Sequence, residues 1–170
     1  MNFHAPNTFF TLLFACFILV TSTLSADAKD AYNNLKGLAP NKILGLYLYA
    51  MENADDSANL QIYTKATQEW KKTWSVNRTQ MANSARGLIS CGKGETITNG
   101  NYAVIRYRIQ NRECNPYYLK KEDGAWRLDF LTMMKTIRFN QKNLWHFSSR
   151  THPYMFAFKD MIFDKNGYPH

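Results

Sequence analysis

The stretch 98–110, TNGNYAVIRYRIQ, decides the fold class because it joins a hairpin turn to the clearest strand of the chain. The Asn-Gly pair at 99–100 is the sequence that two-residue hairpin turns prefer. After the turn, one strand face carries Ala103, Ile105, Tyr107 and Ile109, and the other carries Tyr102, Val104, Arg106 and Arg108. This alternation predicts a strand of an antiparallel sheet.

Further strand patterns flank this hairpin on both sides. Residues 87–97 predict a strand interrupted by glycines, and residues 117–121 and 126–131 predict a second hairpin around the turn EDGA. Beyond Phe130 the pattern fits either an extended strand or a helix. Residues 153–162 have apolar side chains at helical spacing, and Pro153 is well placed to begin that helix. The strands therefore form a four-stranded meander followed by an aromatic-rich extension.

Two helices are predicted before the sheet. The first begins at Asn41 and carries an apolar stripe of Leu44, Tyr47, Leu48 and Met51. The second is a long helix between positions 60 and 81, with Trp70 and Trp74 on a core-facing stripe and Lys65, Lys71 and Lys72 on the solvated side. Together these elements predict an α+β fold, in which two or three N-terminal helices pack on a curved antiparallel sheet of about four strands.

The N-terminus has the features of a secretory signal. Residues 9–20, FFTLLFACFILV, are an uncharged apolar run that is short for a spanning helix, and Ala26 and Ala28 form a cleavage pattern after it. We expect a signal peptide at 1–28 and a single domain at 29–170, with its core at 40–131 and its extension at 132–170. The location is then periplasmic or secreted. The main alternative is an uncleaved membrane anchor at 9–20; a lipoprotein signal ending at Cys16 is disfavoured by the bulky Phe14.

Cysteine usage and charge fit an exported protein. Removal of Cys16 leaves Cys91 and Cys114, which we expect to form a disulfide, the alternative being two separate buried thiols. Neither has a Cys or His at metal-ligand spacing, so we predict no metal site, and no cofactor motif is present. The net charge of +8 favours contact with anionic surfaces, although no dense Lys/Arg arm suggests nucleic acid as a partner.

Two motifs resemble a known superfamily. Residues 42–60, KILGLYLYAMENADDSANL, look like the first helix and acidic turn of small exported domains in the nuclear transport factor two-like (cystatin-like) superfamily, with Ala50, Ala54 and Asp55 at matching positions but without the usual glycine. The sequence DGAWRLDF at 123–130 resembles the late strand of that superfamily. The resemblance implies a cone of helices wrapped by a curved sheet, with a pocket at its open end. Its members include isomerases, dehydratases, non-enzymatic envelope modules and secretion-system scaffolds.

Asp129 is the candidate catalytic residue. Enzymes of the superfamily pair an acid or base with a tyrosine inside the cone, which here implies Asp129 with Tyr47 or Tyr107. Strand alternation favours a different interpretation: Arg127 and Asp129 share the face opposite Trp126, so Asp129 is expected to form salt bridges beside Arg106 and Arg108. His146, which Trp145 and Phe147 flank, is expected to be a packing residue with one satisfied nitrogen, and neither His146 nor His152 is expected to be a catalytic residue or a metal ligand.

These observations give three functional hypotheses. The first is an exported, non-enzymatic domain that binds a small apolar ligand or an envelope protein, the latter through a basic sheet face of Arg106, Arg108 and Arg127, with a homodimer through the sheet also expected. The second is a cone-pocket isomerase or dehydratase that uses Asp129 with a tyrosine. The third is a membrane-anchored scaffold domain of a secretion system.

Overall fold

The computed structural model describes residues 32–110 and 112–170, and the predicted signal sequence, the anchor and Cys16 lie outside them. The first helix, α1 (Pro40–Glu52), agrees with its sequence pattern. Pro40 stands in the first turn of α1, where its missing N–H costs nothing. Beyond the last turn, the Asn53 side-chain amide donates to the Tyr49 carbonyl at 2.8 Å, and Ala54 adopts a φ of 55°. The buried face of α1 consists of Pro40, Ile43, Leu44, Ala50 and Met51.

The predicted long second helix is wrong, because two N-caps divide it. The Thr64 hydroxyl accepts a hydrogen bond from the Thr67 N–H and begins α2 (Lys65–Lys71). Asn77 and Gln80 form a capping box, with bonds of 2.9 and 3.0 Å, which begins a separate helix, α3 (Arg78–Cys91). Local side-chain bonds to the backbone at both caps override the apolar periodicity that runs through them.

Helix α3 also occupies part of the predicted first strand. It continues through Cys91 and ends at Gly92, which adopts a φ of 64°, so that the strand itself begins only at Glu95. The period-two pattern of residues 87–91 was therefore misleading, because Leu88 packs inward as part of a helical stripe with Met81 and Ala85. Short apolar patterns of this kind do not separate strand from helix.

The predicted four-stranded antiparallel meander is confirmed, and with it the α+β class. Its strands are β1 (Glu95–Asn99), β2 (Tyr102–Arg106), β3 (Tyr117–Glu122) and β4 (Ala125–Leu128), in sequential order. Both predicted hairpins have two-residue loops, Gly100-Asn101 and Asp123-Gly124. Asp123 and Gly124 both have positive φ, of 52° and 79°, as a type I′ turn requires.

The chain after β4 turns back over the sheet. It forms α4 (Phe130–Thr136), the β-hairpin β5 (Ile137–Phe139) and β6 (Trp145–Phe147), and a 3₁₀ helix (Pro153–Phe158) that begins at Pro153 as expected. Val104 and Tyr118 on one sheet face are fully buried in a cluster with Trp145, Phe147, Tyr154 and Phe158. The opposite face, with Ala103, Ile105 and Leu119, is also buried. The sheet of this unit (Leu35–His170) is thus covered on both faces.

The disulfide between Cys91 and Cys114 is confirmed, with Cα atoms 5.6 Å apart. It joins the last residue of α3 to the segment before β3, across a sequence separation of 23 residues. Such a bond is compatible with an oxidising compartment. Among the described residues, no helix has the length and apolarity needed to cross a membrane.

Candidate functional site: an aromatic cleft

A cleft of about 610 Å³ lies between the helices and the segment that follows β4. Helices α1, α2, α3 and α4 and the strand β5 all contribute residues to its lining. The volume falls within the range of small-molecule sites. Its apolar lining includes Tyr47, Met51, Tyr63, Trp70, Trp74, Met81, Leu88, Tyr117, Phe130, Met133, Met134, Ile137 and Phe139.

Four aromatic rings form a continuous wall of the cleft. The Phe130 ring lies 4.9 Å from the Tyr47 ring, 5.8 Å from Tyr63 and 6.3 Å from Tyr117, measured between centroids, in tilted or edge-on arrangements. Phe130 reaches this position because it is the first residue of α4, immediately after the sheet ends. Edge-to-face contacts of this type fix ring orientation, so the wall is largely pre-formed.

The two predicted core tryptophans lie on the cleft instead. The Trp70 and Trp74 rings are 4.6 Å apart, and Trp74 is 45% exposed, because α2 ends at Lys71 and the following linker carries Trp74 away from the core. Met134 and Phe139, also exposed, lie on the opposite rim. The mouth of the cleft therefore exposes three large apolar side chains, a feature that is typical of binding surfaces.

One ion pair lies in the cleft wall, between Lys71 and Asp56. Lys71 Nζ is 2.5 Å from Asp56 Oδ1, and the Lys71 side chain is only 8% exposed, so its predicted place on the solvated face is wrong. Asp56 Oδ2 also accepts the Val76 N–H at 2.7 Å, and Lys71 Nζ lies 5.3 Å above the Tyr63 ring. The pair fixes the α2–α3 linker, and its two charges cancel at the wall.

The tyrosines of the cleft are neutral donors. Burial raises the pKa of Tyr47 and of Tyr117 well above the ordinary value, and nearby ionisable groups add to the shift at both. Tyr47 and Tyr117 keep their protons at physiological pH, so they can donate hydrogen bonds to a ligand but cannot serve as bases. Tyr107, the other predicted tyrosine partner, does not line the cleft, and burial raises its pKa to about 12.

Asp129 does not line this cleft, and its predicted place on an exposed, arginine-rich face is wrong. It is 8% exposed and caps α4, where it accepts the Thr132 N–H at 3.2 Å and the Thr132 hydroxyl at 2.7 Å. The tyrosine that donates to it is Tyr154, at 2.8 Å, rather than Tyr47 or Tyr107. Within residues 32–110 and 112–170, the ion pairs do not include Asp129.

The predicted basic sheet face is also wrong, because the C-terminal extension covers it. The Arg106 side chain is 12% exposed and binds Glu95 at 2.9 Å, Asp160 at 2.6 Å and the Ala157 carbonyl at 2.6 Å. Arg127 donates to the Gln61 carbonyl, and Arg108 lies exposed beyond the end of β2. The three arginines therefore do not form one surface. Sequence alternation found the face but could not show what packs on it.

The two histidines differ in their surroundings. His146 is a packing residue with one satisfied nitrogen, as expected: its Nδ1 lies 3.2 Å from the Asn166 carbonyl, and its ring lies 4.6 Å from the Tyr168 ring in a tilted arrangement. His152 packs between Tyr118 and Phe147, and both of its ring nitrogens are buried without a hydrogen-bond partner in the described part of the chain. Burial lowers the pKa of His152 to about 4, so its ring is neutral.

The sequence analysis did not identify the ion pair of Lys71 with Asp56 or the hydrogen bond from Tyr154 to Asp129. Tyr154 was visible as part of an apolar helical pattern, but nothing local linked it to Asp129, 25 residues earlier.

Comparisons of the chain with protein-family models, with curated proteins and with solved structures found no match.

Proposed function

We propose that this protein is an exported, non-enzymatic binding protein whose cleft holds a small, apolar, uncharged ligand. The observation that carries the proposal is the aromatic and methionine-lined cleft of about 610 Å³ with an exposed apolar mouth. Apolar walls with few polar groups are the usual composition of ligand sites. Export is supported by the signal-like sequence at 1–28 and by the Cys91–Cys114 disulfide.

The charge of the ligand follows from the ion pair in the wall. Lys71 and Asp56 already satisfy each other at 2.5 Å, so an anionic ligand group would have to break that pair or remain desolvated without a counter-ion. The third charged side chain of the described lining, Glu113, is exposed to solvent, so a cationic group would compete with water for it. The phenols of Tyr47 and Tyr117 remain available as neutral donors. We therefore propose a hydrocarbon or aromatic body with at most a hydroxyl or carbonyl group.

A matched series of single-chain amphiphiles tests this charge preference. Dodecanol, dodecanoate and dodecylammonium share one apolar chain and differ in head-group charge, and their binding can be followed by the fluorescence of Trp70 and Trp74. We expect dodecanol to bind most tightly. Equal or tighter binding of either ion would contradict the proposed ligand class.

The location of the site is tested by substitution in the aromatic wall. Phe130→Ala removes the ring that contacts Tyr47 and Tyr63 and should weaken dodecanol binding by roughly fivefold or more, because a ligand-facing aromatic contributes about 1 kcal/mol or more. Ile162→Ala is the matched control, since Ile162 is 68% exposed and does not line the cleft. Equal effects of the two substitutions would refute the assignment.

An envelope protein partner is the second candidate, and the exposed Trp74, Met134 and Phe139 at the mouth favour it. The enzymatic and membrane-anchored hypotheses, like the superfamily resemblance, remain predictions. We place the enzyme after the binding functions because the carboxylate of Asp129 contacts Thr132 and Tyr154 rather than lining the cleft. Asp129→Asn should accordingly leave dodecanol binding unchanged.

A further inference from the structure

The two edges of the four-stranded sheet differ. The β4 edge is covered, because the Leu128 N–H donates to the Ile62 carbonyl at 2.6 Å and the Thr64 N–H donates to the Leu128 carbonyl at 3.0 Å. The β1 edge has no such cover among the residues that the structure describes, and four of the five β1 residues are exposed. An edge of this kind is a template for pairing with another strand.

The outward hydrogen-bonding groups of β1 belong to Thr96 and Thr98. The Lys121 N–H donates to the Asn101 carbonyl, so the backbone groups of Asn101 point towards β3. Because these groups point to opposite sides at successive residues of a strand, Tyr102, Val104 and Arg106 of β2 form their hydrogen bonds with β1. Their partners in the register are Asn99, Ile97 and Glu95. Thr96 and Thr98 therefore direct their N–H and C=O groups away from the sheet.

The sequence of β1 is self-complementary in an antiparallel pair. In Glu95–Asn99, ETITN, a twofold axis at Ile97 places Thr96 opposite the partner's Thr98 and Ile97 opposite the partner's Ile97. Glu95 meets the partner's Asn99, so no like charges are opposed, and Glu95 also forms an ion pair with Arg106 at 2.9 Å. Thr–Thr pairs across strands are favourable. The strand has no Pro and no Lys, the residues that commonly block edge pairing.

The side chain of Ile97 supports the same register. Ile97 is partly buried and packs against the aromatic cluster that contains Val104, Trp145 and Phe158. In the paired sheet, the two Ile97 side chains would meet on that face and join the two clusters. The backbone groups of Thr96 and Thr98 would at the same time form hydrogen bonds that one copy alone leaves to solvent.

We propose that β1 is a homodimerisation edge, at which two copies of the chain pair antiparallel about Ile97 to form one continuous sheet of eight strands, four from each copy. The interface does not involve the cleft and does not depend on the proposed ligand. It also replaces the sheet face as the predicted dimer contact, since the C-terminal extension covers that face.

Sedimentation velocity of the full mature chain at increasing protein concentration tests the proposal. We expect a monomer–dimer equilibrium for the wild type. Thr98→Pro removes an outward N–H without touching the bonds to β2, and should weaken the dimer at least about tenfold because one bond is lost from each copy. A wild type that stays monomeric, or a Thr98→Pro dimer of unchanged affinity, would overturn the proposal.

Cross-linking tests the register and does not depend on the folding of the proline variant. Residues opposite each other in a non-hydrogen-bonded pair have Cα atoms about 4.5 Å apart, which a disulfide can bridge. Ile97→Cys should therefore form a covalent dimer under mild oxidation, whereas the exposed control Ile162→Cys should not. Equal cross-linking of the two variants, or none in Ile97→Cys, would exclude this register.

Discussion

The buried contact between Tyr154 and Asp129 gives the sharpest stability prediction. The Tyr154 hydroxyl donates to Asp129 Oδ2 at 2.8 Å, and it connects the 3₁₀ helix to the cap of α4. Tyr154→Phe keeps the ring, which stacks on Tyr118 with centroids 4.2 Å apart, and removes only the hydroxyl. The buried carboxylate then retains the two Thr132 bonds but loses its third donor.

The expected cost follows from the charge of the acceptor. A hydrogen bond to a charged group contributes about 1.5–3 kcal/mol, so the free energy of unfolding should fall by about 2 kcal/mol. In a chain of this size, 1 kcal/mol corresponds to about 2–4 °C in Tm, so Tm should fall by about 4–8 °C. Chemical denaturation and thermal melting of the mature chain measure the two quantities.

Tyr102→Phe is the matched control. Tyr102 belongs to the same cluster, with its ring 5.3 Å from that of Tyr154, but its hydroxyl forms no hydrogen bond with the described residues. We expect its free energy of unfolding to change by less than about 0.5 kcal/mol. If the two substitutions had equal effects, the bond to Asp129 would not be the cause, and the reasoning would be refuted.

Three further predictions concern charge, redox state and pH. Lys71→Met leaves Asp56 partly buried without its counter-ion, so the free energy of unfolding measured in urea should fall by about 3 kcal/mol. The double variant Lys71→Met/Asp56→Asn should recover most of this loss. If Lys71→Met alone left the stability unchanged, the role of the pair would be contradicted. Replacing Cys91 and Cys114 together by serine should cost about 3 kcal/mol, because the bond closes a loop with a separation of 23 residues, and the same loss should appear when the wild type is melted with reductant. His152 has its pKa lowered from 6.5 to about 4 by burial, so below pH 6.5 the unfolded chain binds a proton that the folded chain does not. Stability should therefore fall by about 2 kcal/mol between pH 6.5 and pH 4, after allowance for partial exposure, and this slope should be absent in His152→Phe.

The hairpins show what local chemistry can specify. The Asp-Gly pair at 123–124 has the two positive φ angles that its turn requires, whereas the first loop is Gly100-Asn101, one residue later than the predicted Asn-Gly turn, with a positive φ at Gly100. Alternation in the strands between the two loops sets the register. The order of the sheet follows because each strand pairs with its neighbour in the chain. The disulfide was predictable from the number of cysteines once Cys16 was assigned to the signal.

The wrong predictions share one physical origin. A sequence pattern indicates which face of a helix or strand is buried, but it does not indicate which part of the chain covers that face. The apolar spacing through Trp70 and Trp74 is present in the sequence, but the caps at Thr64 and Asn77 divide the predicted helix, and both tryptophans line the cleft. Strand alternation placed Asp129 on the face opposite Trp126. However, β4 ends at Leu128, so strand alternation does not apply to Asp129.

The sequence by itself determined the α+β class, the antiparallel hairpins, the first helix and the cysteine pair, because turns, caps and short-range periodicity encode them locally. Only the tertiary structure decided which polar residues are buried and which groups they contact. It buries Asp129 against Tyr154, pairs Lys71 with Asp56 and covers Arg106 with the C-terminal extension, through contacts separated by 15 to 54 residues. Contacts at such distances depend on how the chain packs on itself, and no local pattern records them.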